Sequence, residues 1–196
     1  RSVTRPAVAV LAFTATGAGT KTLTFSGTGD GTAAGAIVDN STTNKTNVAK
    51  AGTGTWTLGG TNTYTGTTTV NTGALLMTGS IAAGGNVTVA SGATFGGSGT
   101  VTPNTTVNGN LALNGTLNFG GTLTFGSGAR VKMNLSANAA SAGQAVASTA
   151  TVSSGAIVDV TLNGNGSLTD FTNPFWSTAR TWPVLTAASR TGNFTL

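Results

Sequence analysis

The sequence predicts an all-β fold in which short strands coil around one axis as a parallel β-solenoid. Three observations carry this prediction. Glycine contributes 30 of the 196 residues, and only 7% of the residues are charged, against about 25% in an average soluble domain. Strong helix formers such as Glu, Gln and Met are scarce. Apolar residues alternate with Thr, Asn or Ser in short segments, which is the period of a β-strand.

The first element is the apolar run at residues 7–13, AVAVLAF, which is too short to cross a bilayer and is typical of a strand. In each later segment, apolar side chains alternate with small polar ones, so that one face of the strand points inward. These strands are predicted at residues 21–25, 55–58, 67–70, 74–77, 86–89, 93–95, 105–107, 110–113, 116–119, 122–125, 130–135, 149–152, 156–162 and 181–185.

Turn residues recur after only four to seven residues. Gly-Gly occurs at residues 59–60, 84–85, 96–97 and 120–121, and Asn-Gly at residues 108–109, 114–115, 163–164 and 165–166. Asn-Gly also closes antiparallel hairpins, but hairpin sandwiches place turn signals about 8–12 residues apart. The shorter and repetitive spacing of turn residues favours a solenoid. If each turn of the solenoid takes roughly 20 residues, we expect about ten turns, or rungs, and a rod on the order of 45 Å long.

The chain is predicted to form a single domain over residues 1–196. Residues 39–50 (DNSTTNKTNVAK) are the most polar stretch and are interpreted as a loop that leaves the solenoid. Residues 170–183 (DFTNPFWSTARTWP) break the pattern and are interpreted as an irregular aromatic and proline segment packed on the rod or at its end.

Composition excludes several kinds of catalytic and metal site. His and Cys are absent, so the chain has no Ser-His-Asp triad, no thiol nucleophile and no ordinary zinc, haem or iron–sulfur site. The four acids are Asp30, Asp39, Asp159 and Asp170. A glycosidase needs two carboxylates about 5–10 Å apart. The only pairs near in sequence are Asp30 with Asp39 and Asp159 with Asp170, and neither sits on adjacent positions of recognisable turns of the solenoid. We therefore predict no catalytic residue, no cofactor, no metal site and no enzymatic activity.

The net charge of +5 comes from nine cations that form no cluster. Nucleic-acid binders concentrate Lys and Arg on one face, so no nucleic-acid partner is expected, and no stretch is long enough for a membrane span. Two aromatic residues, Trp56 and Tyr64, suit stacking on sugar rings, but their alternate positions favour packing between rungs.

Residues 50–77 read KAGTGTWTLGGTNTYTGTTTVNTGALLM and resemble the autotransporter-associated β-strand repeat. The pattern K-x-G-x-G-T-x-x-L-x-G-x-N-T-Y-x-G-x-T-x-V-x-x-G-x-L is met by Lys50, Gly52, Gly54, Thr55, Leu58, Gly60, Asn62, Thr63, Tyr64, Gly66, Thr68, Val70, Gly73 and Leu75. The resemblance extends through residues 20–101 and is looser beyond. It implies a right-handed parallel β-helix in secreted or surface proteins of bacteria, and specifies no activity.

A solenoid exposes unpaired backbone groups on its first and last rungs. Neither end of this sequence carries an amphipathic capping helix, and residues 1–13 and 190–196 are compatible with strands. We therefore expect a non-enzymatic extracellular structural protein that assembles with copies of itself, head to tail or by strand exchange, into a fibre. Two alternatives remain open: an adhesin or stalk segment of a larger secreted protein, with surface polysaccharide as a possible partner, and a polysaccharide-active enzyme on the same scaffold.

Overall fold

The computed structural model describes residues 7–9, 13–14, 16–82, 84–136, 143–163 and 184–195. Within these ranges the secondary structure is entirely β, with no helix. The strands are β1 (Ala7–Ala9), β2 (Phe13–Thr14), β3 (Lys21–Phe25), β4 (Gly31–Ala33), β5 (Ile37–Val38), β6 (Thr46–Lys50), β7 (Thr55–Leu58), β8 (Thr61–Asn62), β9 (Thr68–Val70), β10 (Ala74–Met77), β11 (Ser80–Ile81), β12 (Val87–Val89), β13 (Thr94–Gly97), β14 (Thr100–Val101), β15 (Thr105–Val107), β16 (Asn110–Leu113), β17 (Thr116–Phe125), β18 (Arg130–Ser136), β19 (Gln144–Val152), β20 (Ile157–Asn163) and β21 (Leu185–Thr191).

The strands stack in parallel on three faces of one coil. The first face has the order β1-β4-β7-β10-β13-β16-β18-β20. The second face contains β2 and β5, then β8, β11, β14 and the first half of β17. The third contains β3, β6, β9, β12, β15 and the second half of β17. Strands β19 and β21 each continue both the second and the third face. The predicted parallel β-helix is confirmed.

Each turn of the coil, here called a rung, contributes one strand to the first face, which gives eight rungs among the described residues. The estimate of about ten rungs for the whole chain remains a prediction, since residues 164–183 lie outside the described ranges. The described rungs differ in length. Along one column of the first face, Trp56 pairs with Leu75, Leu75 with Phe95, and so on to Leu111, Val131 and Val158. Successive partners on this face lie between 16 and 27 residues apart, and the added residues are turns and loops that leave the strand register intact.

The core is a set of inward-facing columns that run through the rungs. Leu58, Met77, Leu113 and Met133 lie in one column and are each at most 3% exposed. Each such aliphatic side chain contributes about 1.5–3 kcal/mol on burial. Because each rung buries its apolar groups against the rungs above and below, the fold is stabilised along its axis.

The buried amide of Asn62 joins the second face where its backbone pairing is interrupted, between β5 and β8. The Asn62 Oδ1 accepts a hydrogen bond from the Ile37 N–H at 3.0 Å, and its Nδ2 donates to the carbonyls of Gly60 at 2.9 Å and Ser80 at 3.0 Å. One side chain thereby connects three successive rungs, and it is 1% exposed.

The polar loop ends earlier than the prediction of residues 39–50. Residues 46–50 form β6, whose side chains at Thr46, Val48 and Lys50 are buried. The loop prediction failed there because Thr and Lys were read as surface residues, whereas both point inward.

Two predicted strands, at residues 116–119 and 122–125, are joined as the single strand β17. The register against β19 shifts between Phe119 and Thr122, so Gly120-Gly121 forms a bulge and not a full turn. The predicted irregular segment at residues 170–183 lies outside the described residues. The single-domain prediction remains a prediction.

Candidate functional site

The carboxylates of the described residues are already bonded within the protein. Asp30 Oδ1 accepts a hydrogen bond from the Thr55 N–H at 2.6 Å and thereby links the second rung to the third. Asp159 accepts two hydrogen bonds from Nη1 of Arg130, at 2.8 and 2.9 Å, across neighbouring strands of the first face. Asp170 lies outside the described residues. Asp30 and Asp159 therefore each anchor a neighbouring rung.

Asp39 has the densest set of partners. Its Oδ1 accepts the Thr46 N–H at 2.7 Å, and its Oδ2 accepts the N–H of Thr65 at 3.0 Å and the hydroxyl of Thr65 at 2.6 Å. Partial burial raises the pKa of this carboxyl, but the hydrogen bonds from Thr65 and Thr46 and the charge of Lys45 outweigh it, so the pKa lies below its ordinary value. Asp39 therefore closes the polar loop and joins it to the next rung.

The two acids of the first sequence-near pair, Asp30 and Asp39, lie at different corners of the coil. Asp30 comes directly before β4, which belongs to the first face, and Asp39 directly follows β5 of the second face. Each is committed to backbone donors of the third rung. The structure does not unite them as an acid and a base.

A shallow groove of about 500 Å³ lies beside the polar loop. It is lined by Val38, Asp39, Ser41, Thr42, Lys45, Thr63 and Thr65. The only carboxylate in it is the one that three donors already hold, and the Ser41 hydroxyl accepts the Asn44 N–H at 3.1 Å. The groove offers hydroxyl groups and one ammonium group, with no activated base or nucleophile.

Lys50 is fully buried at the corner between the third and the first face. Its Nζ donates to the carbonyl of Gly52 and, at 3.5 Å, to that of Thr72 in the next rung. Burial lowers the pKa of this ammonium group, and the negative charge of Asp30 opposes that shift. Lys50 thus connects the turns of two successive rungs. This contact gives a structural reason for the lysine at the first position of the repeat pattern.

The two aromatic residues considered for sugar stacking pack against the core. Tyr64 is 0% exposed, its hydroxyl lies 2.6 Å from Oγ1 of Thr68, and burial raises its pKa to about 12. Trp56 is partly buried, with its ring centroid 4.6 Å from that of Phe25. A Cβ on Gly31 would lie 2.8 Å from the Trp56 ring, so the glycine makes room for the indole.

No group of three or more His, Cys, Asp or Glu side chains suited to a metal ion occurs in the described ranges. The same ranges contain no helix that is long and apolar enough to span a membrane.

Comparison with known families finds a match in the repeat region. Residues 48–77 fit the family described as the passenger-associated-transport-repeat. This confirms the resemblance to the autotransporter-associated repeat over β6 to β10 and the turns between them. No curated protein matches the chain.

Proposed function

We propose that this chain is a non-enzymatic structural segment of an extracellular, passenger-type protein, in which the β-helix serves as a stiff stalk. The observation that carries the proposal is that charged side chains bond to neighbouring rungs of the coil. Asp30, Asp39, Asp159 and Lys50 each bond to the strands or turns of a neighbouring rung. The interior columns are mainly apolar, and the buried amide of Asn62 also bonds to neighbouring rungs. In the part of the chain that the structure describes, these charged groups serve to hold neighbouring rungs together, which supports a structural role.

Secretion to the cell surface is part of the same proposal. The matched repeat over residues 48–77 implies a secreted or surface location, and the absence of Cys means that the fold does not depend on an oxidising compartment for disulfides. Surface proteolysis of intact cells, followed by antibody detection, tests this location. If the protease cleaves the chain only after the cells are lysed, the chain lies inside the cell and the proposal is contradicted.

The non-enzymatic role is tested with the purified chain on a panel of acidic and neutral polysaccharides, by reducing-sugar and unsaturated-product assays. We expect no turnover. Turnover that is lost in Asp39→Asn or Asp30→Asn, while the circular dichroism spectrum is retained, would overturn the proposal and favour the enzyme alternative. A glycan array separates a stalk from an adhesin, because a stalk gives no saturable binding.

A second candidate function, end-to-end assembly with copies of the same chain, is favoured by the last rung. Val160 pairs with the buried Met133 and continues its inward column, yet Val160 is 44% exposed. By contrast, Phe125 at the end of the third face is covered by Phe194, which packs edge-on against it with the ring centroids 4.9 Å apart. Among the described residues, β20 pairs laterally only with β18 and with Thr195, and β21 only with β19. A further rung from another copy would bury Val160 and pair these edges.

Electron microscopy and sedimentation over a range of concentrations test the assembly. We expect filaments that Ala188→Lys in the exposed terminal strand β21 suppresses, because a lysine blunts an edge strand. The matched control is Thr100→Lys, on an exposed position of an inner rung. Monomers at every concentration, or equal loss in both variants, would contradict assembly through this end and leave the stalk proposal standing.

A further inference from the structure

The third face carries an unusually regular column of outward-facing threonines. Thr69 pairs with Thr88, and the register continues through Thr106 and Thr124 to Thr151 and Thr191. Six successive rungs therefore place a threonine at the same position. The alternating burial of β9, β12, β15 and β19 confirms that these side chains point away from the core.

A second column of hydroxyl or amide side chains runs two residues before the first. In the sequence these pairs read as T-x-T or N-x-T, in TTTV (67–70), NVTV (86–89), NTTV (104–107), TLTF (122–125) and TATV (149–152). Thr122 pairs with Thr149, and Thr149 with Ser189. Residues two apart on a strand face the same side. The result is a two-column array, here called the threonine face.

The array is held in place by its own chemistry. Threonine is β-branched and therefore stiff at χ1, so that identical neighbours in a stack favour one orientation. The side chains of two asparagines brace the second column, because Asn47 Oδ1 accepts the Thr67 N–H at 2.9 Å and Asn104 Oδ1 accepts the Thr122 N–H at 2.8 Å. These bonds fix the backbone that carries the second column before any ligand arrives, and the Thr67 hydroxyl also donates to Asn47 Oδ1 at 3.4 Å.

The threonine face is also uncharged over most of its length. From β6 to β19 its outward positions are Asn, Ala and Thr, and the cations of these strands lie elsewhere: Lys50 points inward. Lys21 and Arg190 fall in the first and the last rung. Side-chain ladders of this kind stabilise a flat sheet against the usual twist. A periodic and neutral surface differs from the concave pocket that a small ligand requires.

The spacing of this surface suggests its ligand. Neighbouring rungs repeat at about 4.8 Å along the axis, and the two columns are about 6.7 Å apart, twice the rise per residue of a strand. Both distances are close to the repeats of water oxygens on a prism face of hexagonal ice. Each threonine offers a hydroxyl that bonds to water and a methyl that orders the water around it.

We propose that the threonine face binds ice. The threonines hold a layer of ordered water on the two-dimensional array, and that layer joins the lattice of an ice crystal. Affinity for the crystal comes from many weak, aligned contacts, so it depends on the flatness of the centre of the array and not on any single side chain. A stalk with such a face would attach its bearer to ice or limit the growth of ice around it.

The test uses the purified full chain, slow growth of an ice hemisphere and a recrystallisation assay. We expect the protein to enter the ice phase and to slow recrystallisation. Thr88→Tyr places a bulky ring in the centre of the face, and the concentration needed to slow recrystallisation should rise at least about tenfold, as expected for the centre of an interface. Thr100→Tyr is the matched control, because Thr100 is equally exposed but lies on the second face.

Exclusion of the wild-type protein from ice overturns the proposal, and so does an equal loss of activity in Thr88→Tyr and Thr100→Tyr. Two other outcomes also overturn it: a dimer that Thr88→Tyr dissociates, or retention on crystalline cellulose or chitin that Thr88→Tyr abolishes without enrichment in ice. Circular dichroism and the unfolding midpoint confirm that both variants fold. Failure here leaves the structural role of the β-helix untouched, since that role rests on the interior.

Discussion

Asp39 makes the stability of the coil depend on pH at the scale of a single residue. Its pKa in the folded chain lies below the usual value because Thr65 and Thr46 donate to the ionised carboxylate. Between that lowered pKa and the usual value of about 3.9, the unfolded chain binds more protons than the folded one. The stabilisation is therefore complete above the unfolded pKa and is lost as the pH falls through the folded one.

We expect the free energy of unfolding to fall as the pH drops below about 4, and Asp39→Asn to flatten this dependence. Urea unfolding at a series of pH values measures it. Asp159→Asn, on the exposed ion pair with Arg130, is the control and should leave most of the slope in place. An unchanged slope in Asp39→Asn would contradict the assignment.

Lys50 gives a second prediction at this scale. Lys50→Met keeps the length of the side chain but leaves the carbonyls of Gly52 and Thr72 without their buried donor. We expect a loss of about 1–3 kcal/mol in the free energy of unfolding. The exposed Lys45→Met should change it by less than about 0.5 kcal/mol. Equal effects of the two substitutions would show that the buried ammonium group contributes nothing.

The sequence predicted few of these residue contacts. The spacing K-x-G-x-G marked Lys50 as part of a repeat. A lysine is nevertheless expected at the surface unless its contacts in the folded chain are known. The bonds of Asp39 join residues 26 positions apart, and the register that brings Thr65 to it depends on the length of the intervening rung. Periodicity does not encode that length.

At the scale of the strands, the fit of Trp56 over Gly31 couples β7 to β4. Gly31 pairs with Trp56, and an added Cβ would lie 2.8 Å from the indole, which already packs against Phe25. Gly31→Ala should cost about 1–3 kcal/mol through overpacking.

The cost should be smaller when Trp56→Leu is present, because the smaller side chain leaves room for the new methyl group. A double-mutant cycle measured by urea unfolding gives the coupling. Gly29→Ala is the matched control, since an added Cβ there meets nothing within 4 Å. Strict additivity of the two substitutions would contradict the contact.

Strand positions followed from the sequence where apolar and polar residues alternate over four positions, as in β7 and in both halves of β17. The two-residue strands β5, β8, β11 and β14 escaped prediction, because two residues cannot display a period. They are strands only because neighbouring rungs pair with them. The bulge at Gly120-Gly121 was missed for a similar reason: a glycine pair reads as a turn whether the chain turns fully or only shifts register.

For the whole molecule, contacts run mainly between adjacent rungs, so stability should grade from the ends to the middle. We expect the slowest amide hydrogen exchange in β10, β13 and β16, at least about tenfold slower than in β3 and β21. Native-state exchange followed by mass spectrometry measures this. Uniform exchange along the chain would indicate a single cooperative unit.

The parallel β-helix as a whole was predictable, since composition, short alternation and the repeat pattern all favoured the same answer. The number of residues in each rung was not predictable, because loops lengthen some turns of the chain without altering the stack.

The uneven rungs described above carry a consequence for how such a protein changes over generations. Partners on the first face stay in register whether 16 or 27 residues separate them. A gene duplication that adds one complete rung, or a deletion that removes one, would therefore keep the register of the other strands. It would change the height of the column by about 4.8 Å. The length of the column can therefore change by whole rungs. A point substitution within a rung is constrained by its contacts with the rungs on either side.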